Sequence, residues 1–232
     1  MREFTAFLGF CLTVLLGIVL VVIVVDPPPQ NVPWGRLDVR EPPGFFTSFK
    51  LAGFNGNLAE CTAALSEDGI EFRTLPDKQG GQDFCTLENR VVLDKSAYAY
   101  SATVRGTCGL VAGLAVWERE VVKRAAEEHL DSPVERIEQF GLYSCRRVNG
   151  SPNGRPSQHA TANAIDIQGF RLENGRTITL LRDWGDDTPE GRFLADVRDG
   201  SCDIFRSVLG PDYNALHRDH FHLDLGRFSI CR

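Results

Sequence analysis

The sequence predicts an α+β domain, an antiparallel sheet with flanking helices, preceded by one transmembrane helix. Three observations carry this. An unbroken apolar run, Phe7 to Val25, is followed by Asp26 and three prolines. Leu110, Leu114, Trp117, Val121 and Ala125 recur in steps of three and four, the period of a helix. The segments on either side of Asn174-Gly175, and the segment His220 to Leu225, alternate apolar and polar residues at the strand period of two.

Taken in order, the elements follow from local chemistry. The nineteen residues from Phe7 to Val25, at about 1.5 Å rise each, match the thickness of a bilayer core. No small-x-small cleavage site lies within Val21 to Val25, so residues 1–25 read as an uncleaved anchor. Residues 26–43 are proline-rich and read as a semi-rigid spacer of about 3.1 Å per residue. Residues 44–232 form the domain, with Phe45, Phe46 and Phe49 docking the spacer onto it. Leu58 to Ser66 is a short helix stopped by Gly69. Ile70 to Leu75 and Arg90 to Leu93 are strands. The main helix starts at Thr107 and carries a solvated back of Glu118, Arg119, Glu120, Lys123 and Glu127. Pro133 ends it, and Arg136 to Tyr143 is a strand. Asn174-Gly175 is a hairpin turn, pairing Ala164–Leu172 with Arg176–Leu181. Thr188-Pro189 is a helix cap followed by proline at the first position, and that helix runs to Gly210-Pro211.

Composition narrows the function. The 232 residues are 43% hydrophobic, enough for one packed domain with appendages. The formal net charge is -6 and no basic stripe is present, which excludes a nucleic-acid partner. Six of the seven cysteines follow the apolar run, an even number that points to disulfides and an oxidising compartment. Of the fifteen possible pairings, the sequential one is expected: Cys61–Cys85, Cys108–Cys145 and Cys202–Cys231. A thiolate metal site is disfavoured because no C-x2-C spacing occurs.

Four of the five histidines lie in the last third of the chain, beside aspartates. On a strand, His220, His222 and Asp224 share one face and Phe221, Leu223 and Leu225 the other. A catalytic zinc takes three protein ligands and keeps one position open for water. His159, Asp166 and His222 are assigned as that set. His220, Asp219 and His217 are the candidates for the base that takes the water proton. The bland alternative is a polar strand face filled by histidines, with no metal.

Residues 58 to 232 resemble the bacterial extensin-like C-terminal domain family. The resemblance rests on Tyr143-Ser144-Cys145-Arg146, Ala164-Ile165-Asp166-Ile167, Leu209-Gly210-Pro211 and His220-Phe221-His222-Leu223-Asp224. The Ser157-x-His159-x6-Asp166 spacing with His220-x-His222 is similar to zinc peptidases that include D-Ala-D-Ala carboxypeptidases and dipeptidases, murein endopeptidases and the hedgehog signalling domain. His217-x2-His220-x-His222 is most similar to the murein endopeptidase branch. The resemblance implies a hedgehog/D-Ala-D-Ala peptidase-like fold, zinc at His159, Asp166 and His222, and His220 near the water. The carboxypeptidase members place a glutamate three residues before the last histidine ligand; Asp219 stands there in this chain, which favours His220. The resemblance also implies an arginine that polarises a carbonyl or holds a carboxylate, and Arg146 or Arg147 can fill that role; a surface salt bridge is the alternative. Ser157 either hydrogen-bonds substrate or caps its loop.

The resulting expectation is a membrane-anchored zinc peptidase acting on peptidoglycan peptides of the cell envelope. It would be single-pass in the bacterial inner membrane, with its C-terminal domain in the periplasm. The alternative is a non-catalytic, zinc-containing domain that binds the cell wall or a partner.

Overall fold

The apolar N-terminal run folds as helix α1, Arg2–Val25, in a computed structural model. The structure describes residues 2–232; the side chains at positions 2, 3, 5, 6, 8, 18 and 20–23 lie outside the described set. The expected membrane anchor is overturned. Among the described residues no helix is long and apolar enough to cross a membrane. The single-pass inner-membrane location rested on that anchor and falls with it.

The proline-rich stretch does not stand off from the domain. Gln30, Val32, Leu37 and Val39 are buried, and Leu37 and Val39 belong to the hydrophobic core. Lys50 clamps this stretch by donating from Nζ to the carbonyls of Pro29, Trp34 and Gly35. Lys50 lies on α2, Thr47–Gly53. Thr47 and Leu51, four apart on one helix face, are the buried residues of α2. Of the three phenylalanines expected to dock the spacer, Phe45 and Phe49 are 84% and 60% exposed.

Helix α3, Leu58–Glu67, starts where the Asn57 side chain accepts the Glu60 N–H. Strands β1 (Glu71–Thr74), β4 (Arg90–Lys95) and β6 (Arg105–Thr107) make a small antiparallel sheet in the order β1-β4-β6. Between them lie the pair β2 (Lys78–Gln79) and β3 (Thr86–Leu87), and then β5 (Ala99–Tyr100). Thr107 caps α4, Cys108–Trp117, by accepting from the Leu110 N–H. All ten residues of α4 are buried, so this helix has no solvated side. A π-helical turn, Glu118–Val122, joins it to α5, Lys123–His129. Lys123 and Glu127 are exposed as expected, but Glu118 is completely buried. Its carboxylate accepts from Ser96 Oγ at 3.0 Å, Tyr100 Oη at 2.6 Å and the Ala97 N–H at 3.0 Å. Burial outweighs these hydrogen bonds and raises its pKa to about 7.

The main sheet is built from β7 (Val134–Gly141), β8 (Ala164–Leu172), β9 (Thr177–Thr179), β10 (Ser207–Leu209), β11 (Phe221–Asp224) and β12 (Ile230–Cys231), together with β5. Its order is β12-β10-β11-β8-β7-β5, with β9 also on β8. The β8–β9 hairpin turns at Asn174-Gly175, where Gly175 has φ +86°, a conformation that costs glycine nothing. The sheet is mixed rather than antiparallel: β5 on β7 and β12 on β10 are parallel. Both parallel pairs are at its two edges, formed by two-residue strands whose place no sequence period announces.

Helix α6 is a single turn, Leu180–Asp183. Helix α7, Pro189–Ser201, begins at Thr188, whose side chain accepts the Gly191 N–H. It ends nine residues short of Gly210, because Ser207–Leu209 leave to pair with β11. Buried Ser201 Oγ donates to the Val197 carbonyl and accepts the Trp117 indole N–H at 2.8 Å, which fixes α7 against α4. Trp117, Phe170 and Phe193 pack in sequence, with ring centroids 6.1 and 4.9 Å apart. This aromatic row supports β8 from behind.

The disulfides are Cys61–Cys108, Cys85–Cys145 and Cys202–Cys231. The last is the expected one; the first two exchange partners relative to the expectation. The reason is tertiary. Helix α3 lies against the start of α4 in the core, so Cys61 meets Cys108 and leaves Cys85 to Cys145.

Candidate metal centre

Strand pairing brings the central residues together. In the β8–β11 register His222 stands directly opposite Asp166. His159 comes from a single 3-10 turn, Gln158–Thr161, whose N–H is capped by Ser157 Oγ at 3.2 Å. The turn closes on Ala162, which takes a left-handed conformation with φ +54° although it carries a Cβ. That twist turns the chain into β8, which begins five residues after His159. Asn163 locks it: its side chain accepts from Thr107 Oγ1 and Asn55 Nδ2 and donates to Gln158 Oε1.

His159 Nε2, Asp166 Oδ1 and His222 Nδ1 form a triangle with edges of 3.0, 3.0 and 3.2 Å. The outer nitrogens fix the tautomers. His159 Nδ1 donates to the Leu142 carbonyl at 3.0 Å, and His222 Nε2 donates to Asp224 Oδ2 at 2.9 Å. Each neutral imidazole therefore aims its lone pair at the same point as the Asp166 carboxylate. Three lone pairs so close require a positive charge among them. A proton answers part of the demand. Burial lowers the His222 pKa, but Asp166 and Asp224 overcome this and raise it to about 9. Burial likewise pushes the Asp166 carboxyl upward, yet His159 and His222 hold it well below the usual carboxylate range. One N–H on His222 reaches two of the three corners at best; a cation reaches all three. The edges are close to the roughly 3.3 Å separating ligand atoms around tetrahedral zinc. The carbonyl and carboxylate behind the imidazoles are the supporting partners such ligands require. The donor set fits zinc.

Residues 59–232 match the family described as extensin-like protein C-terminus. The chain belongs to that family. No curated protein and no solved structure matches the chain significantly. The match covers every residue of the triangle and both strands that carry it.

The extensin-like domain presents the triangle at the floor of a cleft of about 760 Å³. Among the base candidates, His220 and His217 line this cleft. His220 Nδ1 donates to Asp219 Oδ1 at 2.9 Å, so Nε2 carries the lone pair, 3.6 Å from Asp166 Oδ1. Asp219 thus orients His220 and does not line the cleft itself. His217 Nδ1 donates to Asn214 Oδ1, and its ring lies 5.2 Å from that of His220. Burial, reinforced by the neighbouring imidazoles, pulls the His217 pKa down to about 4. Arg146 lines the cleft, whereas Arg147 does not. Arg147 stacks 4.4 Å above the Phe84 ring and donates to the Gly154 carbonyl, contacts that hold its loop. Ser157 lines the cleft, and its Oγ accepts the His159 N–H that caps the turn.

Two contributors escaped the sequence reading. Asp224 is the acceptor behind His222, and its place two residues on, on the same strand face, was the signal for it. Asn163 left no signal, because its partners come from residues 55, 107 and 158.

Proposed function

We propose that this extensin-like domain is a zinc-dependent peptidase acting on peptidoglycan peptides of the cell envelope. The observation that carries the reading is the convergence of His159 Nε2, Asp166 Oδ1 and His222 Nδ1 beneath an open cleft, with both imidazoles locked from behind. The peptide substrate follows from the similarity of the His217, His220, His222 spacing to murein endopeptidases. Three disulfides support an oxidising compartment.

Zinc, when bound, supplies Lewis acidity to a carbonyl and to water. His159, Asp166 and His222 hold it. Asp219 keeps the His220 ring fixed, with its free Nε2 toward the cleft. That nitrogen takes a proton from the attacking water and returns it to the leaving amine, the two halves of general base and acid catalysis. The Phe140 ring lies edge-on to the His220 imidazole, their centroids 5.9 Å apart. Arg146 provides a cation at the cleft wall for the developing oxyanion.

The test uses the full chain. Zinc per chain is measured by plasma mass spectrometry, and purified murein is digested with the wild type and with His159→Ala. About one zinc per chain and release of peptide fragments by the wild type alone are expected. Bound zinc without release from any murein preparation would replace the reading with a wall-binding domain. No zinc uptake by the folded protein would remove both.

A further inference from the structure

Beside the metal cleft lies a second concavity of about 420 Å³. The two share Gln158, Gly226 and Arg227, which form a saddle between them. Gly226 keeps that saddle low. A Cβ at this position would lie 2.9 Å from both Asp224 Oδ1 and the Gln158 amide carbon, so a side chain would have to displace one of them. The Gly226 N–H donates to Asp224 Oδ1 at 2.7 Å, tying the saddle to the carboxylate behind His222.

The basin has a distinct chemistry. Arg206 and Arg227 line it and no acidic residue does, in a chain of net charge -6. Arg206 Nη2 donates to the Arg227 carbonyl at 3.1 Å, which holds the two residues together. Arg206 Nε is buried and has no hydrogen-bond partner among the described residues. A buried donor without a partner is costly, and the accessible part of the half-buried guanidinium is free to make charge-assisted bonds to an anion. Leu225, Ala52 and the exposed ring of Phe49 give the wall an apolar side, next to the Gln158 and Asn163 amides.

We propose that this basin binds a carboxylate carried on aliphatic carbon, namely a free carboxylate of a peptide whose backbone crosses the Gly226 saddle into the metal cleft. The link to a peptide amide rests on the peptidase reading; the carboxylate basin is testable by itself. The arginines supply the charge, and Phe49, Ala52 and Leu225 cover the adjoining methylenes. Free phosphate shares the anion chemistry but would leave the apolar wall unused.

The experiment is calorimetric titration of the zinc-loaded full chain with two probes. One is acetyl-Ala-Glu-Ala-Ala with both carboxylates free; the other is acetyl-Ala-Gln-Ala-Ala-amide. The acid peptide is expected to bind about tenfold more tightly. Arg206→Gln and Arg227→Gln are each expected to abolish that preference. Acetohydroxamate, which reads the metal cleft, should bind the wild type and Arg206→Gln equally, since Arg206 lines the basin and not the cleft. Equal affinity of the wild type for both peptides overturns the proposal, as does a preference that survives both substitutions. Inorganic phosphate that binds through the two arginines, with no discrimination between the peptides, overturns the carboxylate assignment. An acid preference without any zinc-dependent hydroxamate binding would leave the basin standing and remove the metal reading.

Discussion

Glu118 makes the stability of this domain depend on pH, in a direction opposite to that of most carboxylates. Its carboxyl is completely buried under β5 and held by Ser96, Ala97 and Tyr100. An unfolded chain loses this proton near the ordinary value of 4.5, while the folded chain keeps it to about 7. Between those values folding takes up a proton, so stability falls as pH rises, and the penalty is complete above about pH 7. At about 1.4 kcal/mol for each tenfold in acidity, the penalty comes to about 3 kcal/mol. Glu118→Gln removes the charge and keeps the bonds. The amide oxygen can accept from the Ala97 N–H, and the amide NH2 can donate to the Ser96 and Tyr100 hydroxyls. The assay is urea unfolding with disulfides intact, followed by the fluorescence of the neighbouring buried Trp117. At pH 8 the variant should be more stable by about 3 kcal/mol, and at pH 4.5 by less than about 0.5 kcal/mol. Every other titrating group is common to both proteins and cancels in the difference. A difference that is the same at both pH values would refute the reasoning.

Other outcomes follow from the same geometry. Asp224→Ala removes the acceptor behind His222 and should weaken zinc binding about 10- to 100-fold, measured by competition with a chromogenic chelator; affinity unchanged within twofold would mean that His222 needs no support. Arg146→Ala should abolish murein digestion while Arg147→Ala leaves it measurable, because Arg146 lines the cleft and Arg147 does not; equal losses would contradict that division. Replacing Cys202 and Cys231 by serine opens a loop with a sequence separation of 29 and should cost about 3–4 kcal/mol in urea unfolding. Ala162→Val should lower the melting temperature sharply, since a β-branched residue in the left-handed conformation is strained, and Ala162→Gly should not.

The local elements were legible because their signals are local. Thr107 before α4 and Thr188-Pro189 before α7 each announce a helix start by a side chain that caps its own backbone. Asn174-Gly175 marks the β8–β9 turn by the backbone angles it permits. His222 and Asp224 share a strand face through the period of two, and the family match covers the stretch in which the sequence concentrates its histidines.

Other features arise between segments. The burial of Glu118 depends on β5 covering one side of the π-helical turn, which no helical periodicity reports. The disulfide exchange depends on α3 packing against α4. The mixed sheet comes from edge strands two residues long. The opposition of His222 and Asp166 is a register, set when the apolar faces of β8 and β11 turn inward together. The sequence by itself determined which side chains could donate lone pairs and on which strand face they lie. Tertiary structure alone decided that three of them meet within 3.2 Å, because residues 56 and 63 positions apart are joined through the strand ladder and the closed turn rather than through the chain.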